Sequence, residues 1–216
     1  MECMEEIVPL FPLTKIVFFP QTLLPLYIYE PRYQEMIRDS LKDDRRIAIG
    51  VMRDGWEKEY HGAPPVFKTV SIGHIIDDER LSDGKYNIHV QGIERAHIMK
   101  ELDYAPYRKV LVRDAKEFIG HDSRKELLTA TKFLINLLER LIEYMPNRKT
   151  ILQQIFSQNG HPGIIADQVA FHFVEDKYDK QSILSELNVL RRIKLVTIQV
   201  QNILVHLARQ HFKDIL

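Results

Sequence analysis

The sequence predicts an α+β fold, with a β-rich amino-terminal lobe followed by a carboxy-terminal α-helical bundle. Short β-prone runs bounded by turn formers fill the first half, together with most of the ten prolines and nine glycines. In the second half apolar residues recur at i, i+3, i+4 and i+7. The change of period falls near residues 117–122, which divides the chain into a lobe over 1–118 and a bundle over 119–216. That boundary carries one glycine and no long flexible stretch, so the two halves are expected to pack together.

The first lobe opens on a proline-punctuated stretch. Pro9, Pro12, Pro20 and Pro25 remove backbone donors and argue against an uninterrupted central strand. The segment is therefore predicted as a broken edge or lid crossing a barrel, with Ile16-Val17-Phe18-Phe19 as a short strand. Pro31 suits the first turn of a helix that continues through Tyr33, Met36, Ile37 and Leu41 at helical spacing. Further strands are predicted at Ile47–Val51, Val66–Val70, Tyr86–Val90 and Arg108–Val112. Ser82-Asp83-Gly84-Lys85 reads as a hairpin turn that needs Gly84 at positive φ. Many short strands at such spacing imply a small barrel or sandwich.

The second half supplies the helices. Leu127, Leu134, Leu138 and Leu141 define the apolar stripe of the first, which ends before Pro146. A short helix around Ile151–Phe156 stops near Asn159-Gly160, and another runs from about Ile164 to Val174. A fourth surrounds Ile183-Leu184-Leu187 and leads into a long helix from about Val189 to Phe212. Amphipathic helices with short connections bury their stripes against one another, so this half is a bundle.

Composition narrows the function. The apolar fraction is 45% and the charged fraction 28%, values of an ordinary globular chain. Lys plus Arg and Asp plus Glu number 30 each, and a net charge of zero disfavours a dedicated nucleic-acid binder or an acidic-membrane binder. A single cysteine, Cys3, excludes an intrachain disulfide and points to a reducing compartment. The acidic opening and the absence of any run of about 20 apolar residues lead us to expect a cytoplasmic protein without a membrane helix.

Motifs for covalent chemistry are missing. No G-x-x-x-x-G-K-[ST] or G-x-G-x-x-G occurs, which argues against ATP use, and no serine lies in G-x-S-x-G. The nine histidines include no H-E-x-x-H, and His206 and His211 are five apart, off a shared helical face. The run Asp77-Asp78-Glu79, between a strand and the predicted hairpin, reads as a solvated acidic turn rather than a metal or acid–base site. No catalytic residue, cofactor or metal ligand is assigned.

One stretch is distinctive. VPLFPLTKIVFFPQTLLPLYIYEPRYQEMI, residues 8–37, closely resembles the opening signature of the amino-terminal, substrate-binding region of Lon proteases. Pro9, Leu10, Phe11, Pro12, Leu13, Phe19, Pro20, Leu24, Pro25, Leu26, Ile28, Glu30, Pro31, Arg32 and Tyr33 match it, and Tyr29 stands where phenylalanine is usual. Asp83, Gly84, Lys85, Tyr86, Asn87, Gly92 and Arg95 match the family's later hairpin, and GHPGIIADQVAFHF resembles its helical part.

The resemblance implies a PUA-like β pseudo-barrel followed by helices, without the family's ATPase and peptidase modules. It implies a non-catalytic, ATP-independent recognition module for unfolded or extended polypeptide, an adaptor or chaperone-like binder acting with a separate protease or as a homo-oligomer. The alternative is an RNA- or nucleotide-binding PUA-like module, for which Arg191, Arg192, Lys194, Arg209 and Lys213 would supply local positive charge. Tyr27, Tyr29, Tyr33, Trp56 and Phe67 are the candidate contacts with a polypeptide partner, because they are large and flank predicted edges, in a groove expected between the β half and the bundle. Trp56, in a polar loop, reads as either a binding anchor or a cover over the core edge. Glu30 and Arg32 join the candidates, although a helix cap and fixing pair is their simpler role.

Overall fold

A computed structural model describes residues 5–59, 62–102, 106–120, 124–157 and 161–215. Cys3, Tyr104-Ala105 and Asn159-Gly160 lie outside the described residues. The chain divides into two compact units, Met1–Lys116 and Glu117–Leu216.

Among the described residues, six strands, one α-helix and a 3-10 turn build the first unit: β1 (Glu5–Leu13), β2 (Leu23–Ile28), α1 (Pro31–Ser40), β3 (Arg46–Val51), the 3-10 turn Trp56–Glu59, β4 (Thr69–Arg80), β5 (Tyr86–Leu102) and β6 (Lys109–Asp114). Their order in the sheet is β2-β5-β4-β3-β1-β6, and β5 also pairs with β6. That last pairing closes β5, β4, β3, β1 and β6 into a barrel and leaves β2 as an added strand on the outside of β5. Closure depends on the 17-residue length of β5, whose first part pairs with β2 and whose last part pairs with β6. Inward-facing Val8, Leu10, Ala48, Val70, Ile72, Ala96, Val110 and Val112 form the barrel core. Gly84 has φ 86° in the turn between β4 and β5, where the backbone N–H of Leu81 donates to the Lys85 carbonyl (2.8 Å).

Two local readings change. Pro9 and Pro12 lie inside a paired strand. β1 bonds β6 through residues 5–9 and β3 through residues 10–13, so at each position one flank is unpaired and tolerates a residue without an N–H. Val17-Phe18-Phe19, predicted as a strand, is instead a buried strap without ladder pairing. Side chains and β5 satisfy its backbone: Ser71 donates to the Phe18 carbonyl (2.6 Å), Thr22 donates to the Phe19 carbonyl (2.6 Å), and the Gly92 N–H donates to the Thr22 carbonyl (2.9 Å). Val17, Phe18 and Phe19 are buried here, whereas Ile16 and Leu23, also between prolines, are exposed, so the expectation that the apolar residues between the prolines are buried holds only in part.

The second unit contains α2 (Arg124–Tyr144), a 3-10 turn (Pro146–Arg148), α3 (Lys149–Ser157), α4 (Pro162–Phe173), α5 (Lys177–Ser185) and α6 (Val189–Ile215). The α2 stripe of Leu127, Leu134, Leu138 and Leu141 is buried, as is Ile193, Val196 and Val200 on α6, and the two helices pack together. Asp176 caps α5 by accepting from the N–H groups of Tyr178 (2.8 Å) and Asp179 (2.9 Å).

Arg192 is 0% exposed, so it does not supply the surface positive charge that the nucleic-acid alternative asked of it. Its Nη2 donates to Glu117, its Nη1 donates to the Glu186 carbonyl (3.0 Å), and its Nε lies 3.2 Å from an Asp167 oxygen without the alignment of a hydrogen bond. A guanidinium in an apolar interior is tolerated only with such anionic partners. A Cβ at Gly163 would collide with Nη2, so the absence of a side chain there makes room for the ion pair. Lys194, another of those basic residues, is paired with Glu126 at 2.7 Å.

Candidate functional site

β2 alternates outward Leu23, Pro25 and Tyr27 with inward Leu24 and Ile28, the period-two pattern of a strand with one covered face. Among the described residues it pairs on one side only, as the end strand of the sheet. Pro25 and the short length of six residues blunt that edge against indiscriminate strand addition. The broader surface is the outer face of β2, β5 and β4. In the register of the sheet, Pro25 stands opposite His89 and His89 opposite Asp77, while Tyr27 stands opposite Asn87 and Asn87 opposite Glu79.

A bulge decides which β4 residues belong to this face. Ile75 pairs with Val90 and the next pair is Asp77 with His89, so Ile76 is an extra, exposed residue. Inserting it shifts the alternation and brings Asp77 and Glu79 to the side that carries Asn87 and His89. The run Asp77-Asp78-Glu79 is thus strand, which corrects the predicted solvated turn. Asn87 donates to Glu79 (2.9 Å), His89 Nδ1 lies 3.2 Å from an Asp77 oxygen, and Asp78 pairs with Arg45 at 3.1 Å. Pro25, Tyr27, Asp77, Glu79, Asn87 and His89 line a shallow depression of about 420 Å³.

The seven residues singled out from the sequence part company here. Tyr27 and Tyr29 are 52% and 56% exposed, and their rings stack with centroids 6.2 Å apart and planes 29° apart. Lys85 lies 5.9 Å from the Tyr27 ring centroid, within cation–π range. Glu30 occupies the cap position of α1 without making a side-chain capping bond, and it accepts instead from Arg32 (3.0 Å). Arg32 in turn lies over the Tyr33 ring at 4.6 Å. Tyr33 is only 6% exposed, with its ring edge-on to Phe11 at 4.8 Å, so it is a core residue and not a docking side chain. Burial pushes the Tyr33 hydroxyl above its ordinary pKa, against the opposing pull of Arg32. Trp56 is half-buried in a 3-10 turn, Trp56–Glu59, and Phe67 is half-buried with its N–H donated to the Val51 carbonyl (2.9 Å). Both belong to the connection between β3 and β4.

Asp77, Glu79, Asn87 and His89 were absent from the sequence-based choice. The alternation in Tyr86-Asn87-Ile88-His89-Val90 is a signal that could have put Asn87 and His89 together, because both are polar at period two. The arrangement offers two carboxylates, an amide, an imidazole and the Tyr27 ring in an open depression, with Tyr29 stacked on Tyr27. Among the described residues no group of three or more His, Cys, Asp or Glu side chains is placed to hold a metal ion. No helix is long and apolar enough to cross a membrane among the described residues.

Residues 7–202 match the family model described as the ATP-dependent protease La (LON) substrate-binding domain. The chain is 28% identical over 195 residues to Lon protease 2 of Myxococcus xanthus, an alignment covering 90% of this chain and 23% of that protein. It is 26% identical over 196 residues to the Lon protease of Anaeromyxobacter dehalogenans, with the same two coverages of 90% and 23%. The chain therefore spans less than a quarter of these relatives. In structure it is similar to the N-terminal domain of the Mycobacterium avium complex Lon protease, with a TM-score of 0.71, 17% identity and coverage of 91% of this chain and 98% of that one. It is also similar to a Lon N-terminal domain protein from Xanthomonas campestris, with a TM-score of 0.59, 18% identity and coverage of 88% and 95%. At such identities the structural likeness speaks for the fold.

Proposed function

The chain belongs to the Lon substrate-binding domain family, and from that premise we propose that it is a non-catalytic module that binds unfolded or extended polypeptide on the outer face of β2, β5 and β4. The observation that carries the proposal is the exposed Tyr27–Tyr29 stack at the end of β2. Stacked tyrosines present a large apolar area with few rotatable bonds, so burying them against a partner costs little side-chain entropy. An unfolded chain supplies apolar side chains that a folded protein keeps inside, which is the chemistry such a surface selects. In this reading the protein is an ATP-independent adaptor or chaperone-like binder, and the captured polypeptide passes to a separate protease.

The same face disfavours the RNA alternative. Asp77 and Glu79 would repel a phosphate backbone, and two of the five basic residues invoked for it are engaged in ion pairs with acids of the second unit.

Fluorescence anisotropy with a labelled, casein-like unfolded chain tests the proposal. Tyr27→Ala/Tyr29→Ala should weaken binding about thirtyfold, the loss when two aromatic anchors worth about 1 kcal/mol each are truncated. Ile198→Ala, at an exposed position on α6, should leave it unchanged. Equal affinity of the double variant and the parent would refute the assignment of this face.

A further inference from the structure

We propose that this face, if it binds polypeptide as argued above, selects extended segments in which lysine or arginine alternates with apolar residues, and rejects acidic ones. Four observations within the first unit support the selectivity. Asp77 has a side chain 72% exposed, and its contact across the face is His89 rather than a lysine or arginine. Glu79 accepts from the neutral amide of Asn87. Both carboxylates thus retain most of their capacity to attract a cation.

A nearby ammonium, that of Lys85, is already engaged. Lys85 pairs with Asp83 at 2.7 Å, which neutralises it locally, while it reaches the Tyr27 ring. The chain's own lysine thereby shows that this tyrosine pair accepts an ammonium. Tyr29, stacked on Tyr27 and more than half exposed, carries no cation of its own among the described residues. A lysine or arginine from a bound segment could take that ring face.

The spacing of the groups sets the required pattern. Tyr27, Asn87 and Glu79 form one row across the sheet, and Pro25, His89 and Asp77 form the next, two residues away along each strand. Neighbouring strands lie about 4.8 Å apart, so each carboxylate sits about 10 Å from the apolar column of β2. An extended segment lying on the face meets apolar surface on one side and negative charge on the other. Its side chains alternate at the same period as the rows. Two carboxylates and one open ring should favour a basic segment over its acidic counterpart about tenfold at low salt, the combined size of exposed ion pairs and a cation–π contact. Screening should reduce the preference at high salt.

The test uses the 216-residue chain and three fluorescein-labelled, unstructured twelve-residue peptides with identical apolar residues. Their remaining variable positions hold three lysines, three glutamines or three glutamates. Affinity should fall in the order lysine, glutamine, glutamate, with a lysine-to-glutamate ratio of about ten at 50 mM salt that shrinks toward unity at 500 mM. Asp77→Asn/Glu79→Gln keeps the shape of both side chains. It should bring the ratio below about three without changing affinity for the glutamine peptide. Glu139→Gln/Glu143→Gln, two exposed carboxylates on α2, should leave the order intact. Equal binding of the lysine and glutamate peptides, or a ratio that stays at about ten in Asp77→Asn/Glu79→Gln, overturns the selectivity and leaves polypeptide binding standing. Failure of all three peptides and of the unfolded chain to bind overturns both.

Discussion

Gly92→Ala places a side chain where the Val17–Phe19 strap crosses β5. A Cβ there would fall far inside van der Waals range of the Phe19 carbonyl oxygen, 3.0 Å from its carbonyl carbon and 3.1 Å from the Pro20 Cα. All three atoms are backbone, so no rotamer change relieves the clash, and the strap must lift. Lifting it breaks or stretches two bonds, from the Gln21 N–H to the Gly92 carbonyl (2.8 Å) and from the Gly92 N–H to the Thr22 carbonyl (2.9 Å). Overpacking costs about 1–3 kcal/mol and each weakened hydrogen bond about 0.5–1 kcal/mol, which together give about 2–5 kcal/mol. Trp56, the single tryptophan, lies half-buried in the first unit, so its fluorescence reports that unit alone. With a urea slope of about 2 kcal/mol per molar, the fluorescence midpoint should fall by about 1–2.5 M. The helical ellipticity midpoint of the second unit provides the internal reference. A fluorescence midpoint within about 0.3 M of the parent would refute the claim that the strap is pinned by backbone contact at Gly92.

Arg192→Met removes the cation between Glu117 and Asp167 and leaves carboxylates in a site built around it. The second unit should lose about 3–5 kcal/mol, read as a lower urea midpoint by circular dichroism at 222 nm. His172 has its pKa lowered from 6.5, first by burial and then by the positive charges of Arg148 and Lys180. Below pH 6.5 the unfolded chain binds this proton more readily than the folded one, so stability is fully present above that pH and declines as pH falls toward the lower folded value. His172→Gln should flatten this part of the pH profile between pH 7 and pH 5 in thermal melts. An unchanged slope would show that another group is responsible.

The division of labour between local and distant contacts explains which parts of the site could be read in advance. Tyr27 and Tyr29 were visible because they are large and flank a predicted edge, which can be read within a few residues of sequence. Tyr33 could not be separated from them, because its burial depends on Phe11, which reaches it from β1. Glu30 and Arg32 were legible as a fixing pair, since two residues apart at the start of α1 is contact range. The partner of Arg192 was not. Glu117 lies 75 residues away in sequence, and a charge on an amphipathic helix ordinarily belongs to its solvated side.

By itself the amino-acid sequence determined the α+β class, the helical second half, the turn at Asp83-Gly84 and the likeness to Lon substrate-binding regions. Each rests on short-range chemistry: the period of apolar residues, a glycine's access to positive φ, or a run of residues compared directly. Only the tertiary structure decided that β5 pairs at one end with β2 and at the other with β6, and that Pro9 and Pro12 could sit inside a strand. It also decided that one extra residue, Ile76, turns Asp77 and Glu79 to the side of the tyrosines. Strand parity beyond a bulge depends on which partner residue each backbone group bonds. That choice is made between segments far apart along the chain, and hydrophobic periodicity within either segment does not encode it.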